Sequence, residues 1–247
     1  MHIKHYGSSG ENKARQDIIK LLKACPIPED QLQANLGLFL NSKSLARILF
    51  MDHIFRQIVD VPGVVMEFGT RWGQNLALFA ALRGMYDPIH RHRKIIGFDT
   101  FTGFPTISPQ DGKSEMMVQG GLALTNDYKS YLEKILDYQE ADNALAHIKK
   151  YELRAGDANI EIDKYFTEYP ETIVALAYFD FDVYKPTKKC LEAIKPRLVK
   201  GSVVGFDELN DHDSPGETLA LMEVFGLNNI ELKRLPQTSR TAYFVVK

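Results

Sequence analysis

Val64-Val65-Met66-Glu67-Phe68-Gly69-Thr70-Arg71-Trp72-Gly73 is a short apolar run that stops at a glycine, and residues 74–85 after it read as a helix. A strand turning through glycine into a helix is the opening unit of an α/β sheet. Working outward, Lys94-Ile95-Ile96-Gly97-Phe98-Asp99 is a second strand, residues 151–155 a third ending at Gly156-Asp157, 173–179 a fourth and 202–206 a fifth. The fourth is almost unbroken in hydrophobicity, which suits a central strand buried on both faces. Helices are predicted over about 127–150, from near Pro186, and over 215–225. Such alternation gives a parallel sheet with right-handed crossovers. Residues 230–235 and 241–246 read as two closing strands, and the short link between them, 236–240, forces a hairpin rather than a crossover. The expected body, residues 61–247, is therefore a seven-stranded, mostly parallel sheet with an antiparallel last strand. Residues 1–60 read as a helical, amphipathic extension. Leu45, Ile48, Leu49, His53 and Ile54 recur there at helical spacing before Val61-Pro62-Gly63 breaks the pattern.

Composition sets outer bounds. In 247 residues, 45% apolar and 25% charged content is ordinary for a globular chain that buries a full core. A net charge of −2 argues against a nucleic-acid or membrane-surface binder, which would carry a basic field. Arg91-His92-Arg93-Lys94 is a small basic knot and reads as a solvated turn entering a strand. The two cysteines, Cys25 and Cys190, are too few for a disulfide framework, and Met1-His2-Ile3-Lys4 opens no secretory signal, so the expected compartment is the cytoplasm. The longest apolar stretches are too short to span a bilayer.

Open α/β sheets bind ligands outside the carboxyl ends of their strands. Here those ends are Glu67/Gly69, Asp99, Gly156/Asp157, Asp180/Asp182 and Asp207/Glu208, so every strand from the first to the fifth stops at or beside an acid. Gly69 and Gly73 lack the third glycine of the dinucleotide fingerprint, and a plain structural turn explains them equally well. Asp99 is placed to accept two hydrogen bonds from a ribose diol, a group that dinucleotides and S-adenosylmethionine share. The missing glycine and the closing hairpin tilt the choice from a nicotinamide-dependent oxidoreductase or epimerase toward the methyl donor. Asp157 fits either an adenine amino group or a helix N-cap. Asp180, Asp182, Asp207 and Glu208 would repel one another unless a divalent cation joined them, and hard oxygen ligands suit magnesium, calcium or manganese. The competing reading makes Asp182 a helix cap and pairs Asp207 with a lysine.

At these residues the chain resembles the macrocin O-methyltransferase family, whose members modify sugars in antibiotic biosynthesis. The resemblance runs from about Leu45 to the C-terminus. It rests on residues 65–73, on Gly97-Phe98-Asp99-Thr100-Phe101-Thr102-Gly103-Phe104-Pro105, on Asp180-Phe181-Asp182-Val183-Tyr184-Lys185-Pro186-Thr187 and on Asp207-Glu208. It departs from the family pattern at Phe181, where a small residue is usual, and at Glu208, where a second aspartate is usual. The resemblance implies a class I methyltransferase fold with a Rossmann-like sheet, and the helices of residues 1–60 read as an N-terminal lid. It implies methyl transfer from S-adenosylmethionine to a sugar hydroxyl with Mg2+ or a similar cation. Asp180, Asp207 and Glu208 would be the metal ligands, with Asp180 also the general base, although His212 is a second candidate. Glu67, Gly69, Thr70 and Asn75 would shape the pocket for the donor's amino-acid end, Asp99 its ribose and Asp157 its adenine. The acceptor would be a nucleotide sugar or glycoside, with a phenol or catechol as the nearer rival. Residues 106–126 match no part of the family pattern, and the long irregular segment reads as a second part of the lid. The apolar N-terminal helices suit a homo-oligomer.

Overall fold

The computed structural model describes residues 7–247; the first six residues of the expected N-terminal extension lie outside the described residues. Two compact units are present, one reaching Ile48 and one spanning Leu49–Lys247. In the first, α1 (Ser9–Lys23) opens with a capping box in which Ser8 and Glu11 exchange hydrogen bonds at 2.7 and 3.3 Å. A short α2 (Glu29–Leu32) and a 3-10 turn (Gln33–Phe39) follow, and α3 (Ser42–Arg56) begins.

The second unit holds a six-stranded sheet in the order β3-β2-β1-β4-β5-β6. Its strands are β1 (Val64–Phe68), β2 (Ile95–Asp99), β3 (Tyr151–Ala155), β4 (Val174–Phe179), β5 (Leu198–Phe206) and β6 (Ala242–Val245). The first five are mutually parallel, and β6 runs antiparallel to β5. Side chains alternate between two cores. Met66, Phe68, Ile96, Phe98 and Phe179 face α6 (Ala158–Glu168), α7 (Tyr184–Ile194) and α8 (Gly216–Val224). Val65, Ile95, Leu176 and Tyr178 face α4 (Gln74–Tyr86), α5 (Tyr128–Asp142) and the end of α3.

Three expectations change. The seventh strand is absent among the described residues: residues 230–235 contribute only a single bridge, Lys233 to Tyr243, with backbone bonds of 2.8 and 2.9 Å. Residues 231–234 are all exposed, and only the two ends of the stretch, Ile230 and Leu235, pack against the cores. The helix expected over 127–150 ends at Asp142, where Asn143 leaves helical geometry. The buried Lys150 ammonium then holds the connection in place by donating to the Leu145 and Ile148 carbonyls. On α3 the buried face is Phe50, Met51, Ile54 and Phe55, while Leu45 and Leu49 are exposed, so the expected stripe is offset around the helix.

Register positions the site. Phe98, Phe68, Phe179 and Phe206 lie level on four adjacent strands. Their rings stack across the sheet at 5.1, 4.6 and 5.3 Å, each pair 18° from parallel. The next residue on each strand is Asp99, Gly69, Asp180 or Asp207, so the four arrive together at the carboxyl edge. Strand order reverses between β1 and β4, the switch point at which such sheets open a crevice.

Candidate active site

The edge divides into two halves. In the first, the chain after β1 turns through Gly69 at φ +96°, beneath the backbone of the β4 end. A Cβ at Gly69 would stand 2.0 Å from the Asp180 carbonyl oxygen, so this glycine is required by the chain's own packing. Gly73 caps α4 in the left-handed region, against the Leu132 side chain. Asp99 ties two loops together: Arg71 N–H donates to its Oδ2 at 2.7 Å and Phe101 N–H to its Oδ1 at 2.6 Å. Arg71 and Phe101 both sit at positive φ, which is the backbone cost of aiming those amides at one carboxylate. Burial raises the Asp99 carboxyl above its ordinary value, opposed by the two amides and the Arg71 charge.

Glu67 is fully buried on β1, on the face that carries Val65. Thr70 and Asn75 are buried, and Thr70 Oγ1 and Asn75 Oδ1 have no hydrogen-bond partner in the protein. Buried polar atoms of this kind are usually satisfied, so two beside one loop mark a place for a polar ligand. Gly97 gives the threonine room, since a Cβ there would lie 2.5 Å from Thr70 Oγ1. Asp157 forms the cap that was one of its two readings: its Oδ1 accepts from Asn159 N–H at 3.0 Å and from Asn159 Nδ2 at 2.7 Å.

In the second half, carboxylate oxygens of Asp180, Asp207 and Glu208 all lie within 4.8 Å of one another, with Asp207 and Glu208 buried and Asp180 half-buried. Tyr178 donates its hydroxyl to Asp207 Oδ1 at 2.7 Å. The Arg240 guanidinium lies 2.7 Å from Glu208 Oε1, 3.9 Å from Asp207 Oδ2 and 2.7 Å from Asp211 Oδ2. Two more acids, Asp182 and Glu217, are buried beside them. Burial pushes Asp182 up to about 7, helped by the negative charges of Asp180, Glu217 and Asp207 and opposed by its hydrogen bond with Glu208. Burial together with the neighbouring carboxylates holds Glu208 and Glu217 well above the ordinary range. Arg240 is one cation that meets these acids, and a divalent cation among the three converging carboxylates would suit their hard oxygen donors.

The helix cap expected of Asp182 in the competing reading is not formed. Asp182 does not cap α7; it adopts φ +61°, and Val183 stands at the cap position with no side-chain bond. Asp111 takes that role from the 100–126 segment, its Oδ1 accepting Tyr184 N–H at 2.6 Å. Among its described partners Asp207 meets Tyr178 and Arg240. His212 is exposed. The segment that matched no family pattern is built rather than loose: Phe104 and Met117 pack with Val183, and Ile107, Leu122 and Phe181 join them. Phe181, the residue that departs from the family pattern, also lies on the Phe68 ring at 5.8 Å, so it bridges the segment and the main core.

Tyr178, Glu217, Arg240 and Asp111 are the site residues that sequence reading did not single out. Tyr178 carried the one usable signal, since alternation along the fourth strand puts it on the face opposite Phe179. The other three read as an ordinary first-turn acid, a linker cation and a loop acid.

A parallel sheet with one antiparallel edge strand, a strand-order switch between β1 and β4 and acids at its carboxyl edge make this a class I methyltransferase fold. No protein-family model matches the sequence, and no curated protein does either. Solved structures do match. The structure of CalS11, calicheamicin methyltransferase, superposes with a TM-score of 0.95 at 44% identity, covering 98% of this chain and 94% of that one. An apo structure of CalS11, described as a TDP-rhamnose 3'-O-methyltransferase of calicheamicin biosynthesis, gives a TM-score of 0.86 at 41% identity over 98% and 96% of the two chains. The O-methyltransferase NovP shares the fold at 17% identity, with a TM-score of 0.61 over 82% of this chain and 80% of that one. The chain belongs to the O-methyltransferase family of CalS11, as its motifs indicate. No helix among the described residues is long and apolar enough to cross a membrane.

Proposed function

We propose that this enzyme transfers a methyl group from S-adenosylmethionine to a hydroxyl of a nucleotide-linked sugar, assisted by a divalent cation. The observation that carries the reading is the convergence of Asp180, Asp207 and Glu208 at the switch point, beside a loop with two orphaned buried polar atoms. That loop and the acids at its rim would hold the donor: Thr70 and Asn75 toward its amino-acid end, with Glu67 and Gly69 shaping the wall. Asp99 would hold the ribose and Asp157 the adenine. Both Asp99 oxygens already accept a backbone N–H, so the diol would use their remaining lone pairs. Mg2+, Ca2+ or Mn2+ bound by Asp180, Asp207 and Glu208 would supply a Lewis acid that lowers the pKa of the acceptor hydroxyl.

The chain's own groups do the rest. The Tyr178 hydroxyl fixes the orientation of Asp207, and Arg240 does the same for Glu208, so both present oxygens to one point. Asp180, the most open of the three, would take the hydroxyl proton on a carboxylate oxygen. The bound donor would supply a sulfonium methyl to that oxygen, the sulfur–carbon electron pair staying on sulfur. Holding acceptor and donor in line would supply much of the rate.

The sugar acceptor is supported by CalS11, which is described as acting on TDP-rhamnose. Exposed Leu36, Leu38 and Leu40 support self-association. The test is a labelled-methyl assay with purified protein against TDP-rhamnose, other nucleotide sugars, glycosides and catechols. Label on a nucleotide sugar is the expected result. Label on a catechol alone would replace the acceptor assignment and leave the methyl-transfer chemistry.

A further inference from the structure

Acids in the first turn of a helix usually face solvent and favour the helix dipole. Glu217, the second residue of α8, is instead fully buried, and its carboxylate reaches two other loops. Its Oε1 accepts the N–H of Phe181 at 2.9 Å and that of Asp182 at 3.4 Å. Its Oε2 accepts the N–H of Glu208 at 3.3 Å. One oxygen therefore holds the turn that follows Asp180, and the other holds the turn that carries Asp207 and Glu208. The preceding residue makes the approach possible: a Cβ at Gly216 would stand 2.6 Å from Tyr184 N and 3.0 Å from Asp182 O.

We infer that Glu217 is a positioning residue whose two carboxylate oxygens clamp the β4 and β5 turns together and so set the spacing of Asp180, Asp207 and Glu208. The inference rests on the cation reading given above. The two turns leave different strands, and this single side chain accepts backbone hydrogen bonds from both. Three N–H donors on one carboxylate also explain why a buried acid is tolerated beside Asp182, Asp207 and Glu208, where an unpaired charge would be costly. Glutamine has nearly the same shape but only one acceptor oxygen. Its NH2 would face an N–H of one turn or the other, so E217Q releases one side of the clamp and keeps the volume.

The experiment titrates the full-length protein with Mn2+ and counts the free ion by electron paramagnetic resonance. In parallel, S-adenosylhomocysteine binding is measured by calorimetry and folding by melting temperature. For E217Q the expected result is Mn2+ affinity at least tenfold weaker, with S-adenosylhomocysteine affinity within twofold of the native protein. Should E217Q not fold, E217D reads the same quantities, since it keeps the charge but is one methylene too short to span both turns. Equal Mn2+ affinity in native and variant protein overturns the clamp and leaves the cation reading standing. Parallel loss of both ligands also overturns it, because that is the mark of a general structural role. A native protein that takes up no Mn2+ overturns the cation reading and the clamp with it.

Discussion

The carboxyl ends of β1, β2 and β3 and those of β4 and β5 lie along one edge of one sheet, yet they are built by opposite means. On the first side two acids are committed to the backbone: Asp99 accepts two loop amides and Asp157 caps α6, and the neutral atoms Thr70 Oγ1 and Asn75 Oδ1 are buried without a hydrogen bond. On the second side Asp180, Asp182, Asp207, Glu208 and Glu217 crowd together, with the guanidinium of Arg240 against Glu208 and Asp207. In the proposed reading the first arrangement would cradle a ligand of mixed charge with fixed dipoles, and the second would hold a cation. Gly69 is the joint, since it belongs to the first loop and lies against the Asp180 carbonyl of the second.

Four perturbations test that division, taken from the largest expected effect to the smallest. Asp207→Ala removes a buried carboxylate, a proposed cation ligand, and should lower turnover about a thousandfold, the scale of several kcal/mol of lost charge stabilisation. Calorimetric binding of S-adenosylhomocysteine should stay within twofold; equal losses in both would erase the boundary between the halves. Gly69→Ala should damage both halves at once. Its Cβ would strike the Asp180 carbonyl at 2.0 Å, from a φ of +96° that alanine resists. Strain of about 2–3 kcal/mol should lower the melting temperature by roughly 5–10 °C. Donor and Mn2+ affinities should both fall, and a loss confined to one of them would remove Gly69 from the joint.

Asp99→Ala belongs to the first half alone. It removes a charged acceptor and strands two amides, so donor affinity should fall by about tenfold to a hundredfold. Mn2+ affinity should hold, and a calorimetric titration showing unchanged donor binding would contradict the ribose role. The smallest effect lies away from the edge. His53 Nε2 meets the Tyr243 hydroxyl at 2.7 Å, and burial lowers the histidine pKa, with Arg56 and Lys233 adding to the shift and Asp52 opposing it. A folded-state value below the unfolded one means the native protein binds fewer protons, so stability drops as pH falls through 6.5. The melting temperature of H53Q relative to the native protein should therefore rise on acidification. A difference independent of pH would remove His53 from the account.

Much of this edge is legible in the sequence because parallel strands buried on both faces announce themselves. Apolar runs ending in Gly69, Asp99, Asp180 and Asp207 mark where the sheet stops, and each of those residues directly follows a phenylalanine. The common register of those phenylalanines brings the four side by side, which no single strand could reveal. Residues 230–235 show the limit of the method. Their alternation suggests a strand, but a strand also needs a surface to cover, and residues 231–234 face water. Glu217, Arg240 and Asp111 were hidden for a different reason. Their residue types are ordinary for a first helical turn, a short linker and a polar loop, and their partners arrive only with tertiary structure. Asp111 is the clearest case, since it caps a helix that begins 73 residues later.

The central claim is that donor binding belongs to one half of the edge and cation-assisted chemistry to the other. The most direct measurement follows the initial rate of methyl transfer while free divalent cation is lowered by chelator, with S-adenosylhomocysteine binding recorded on the same samples. The account predicts that the rate falls to background and returns when Mg2+ is restored, while S-adenosylhomocysteine binding does not move. Full turnover in excess chelator would contradict it.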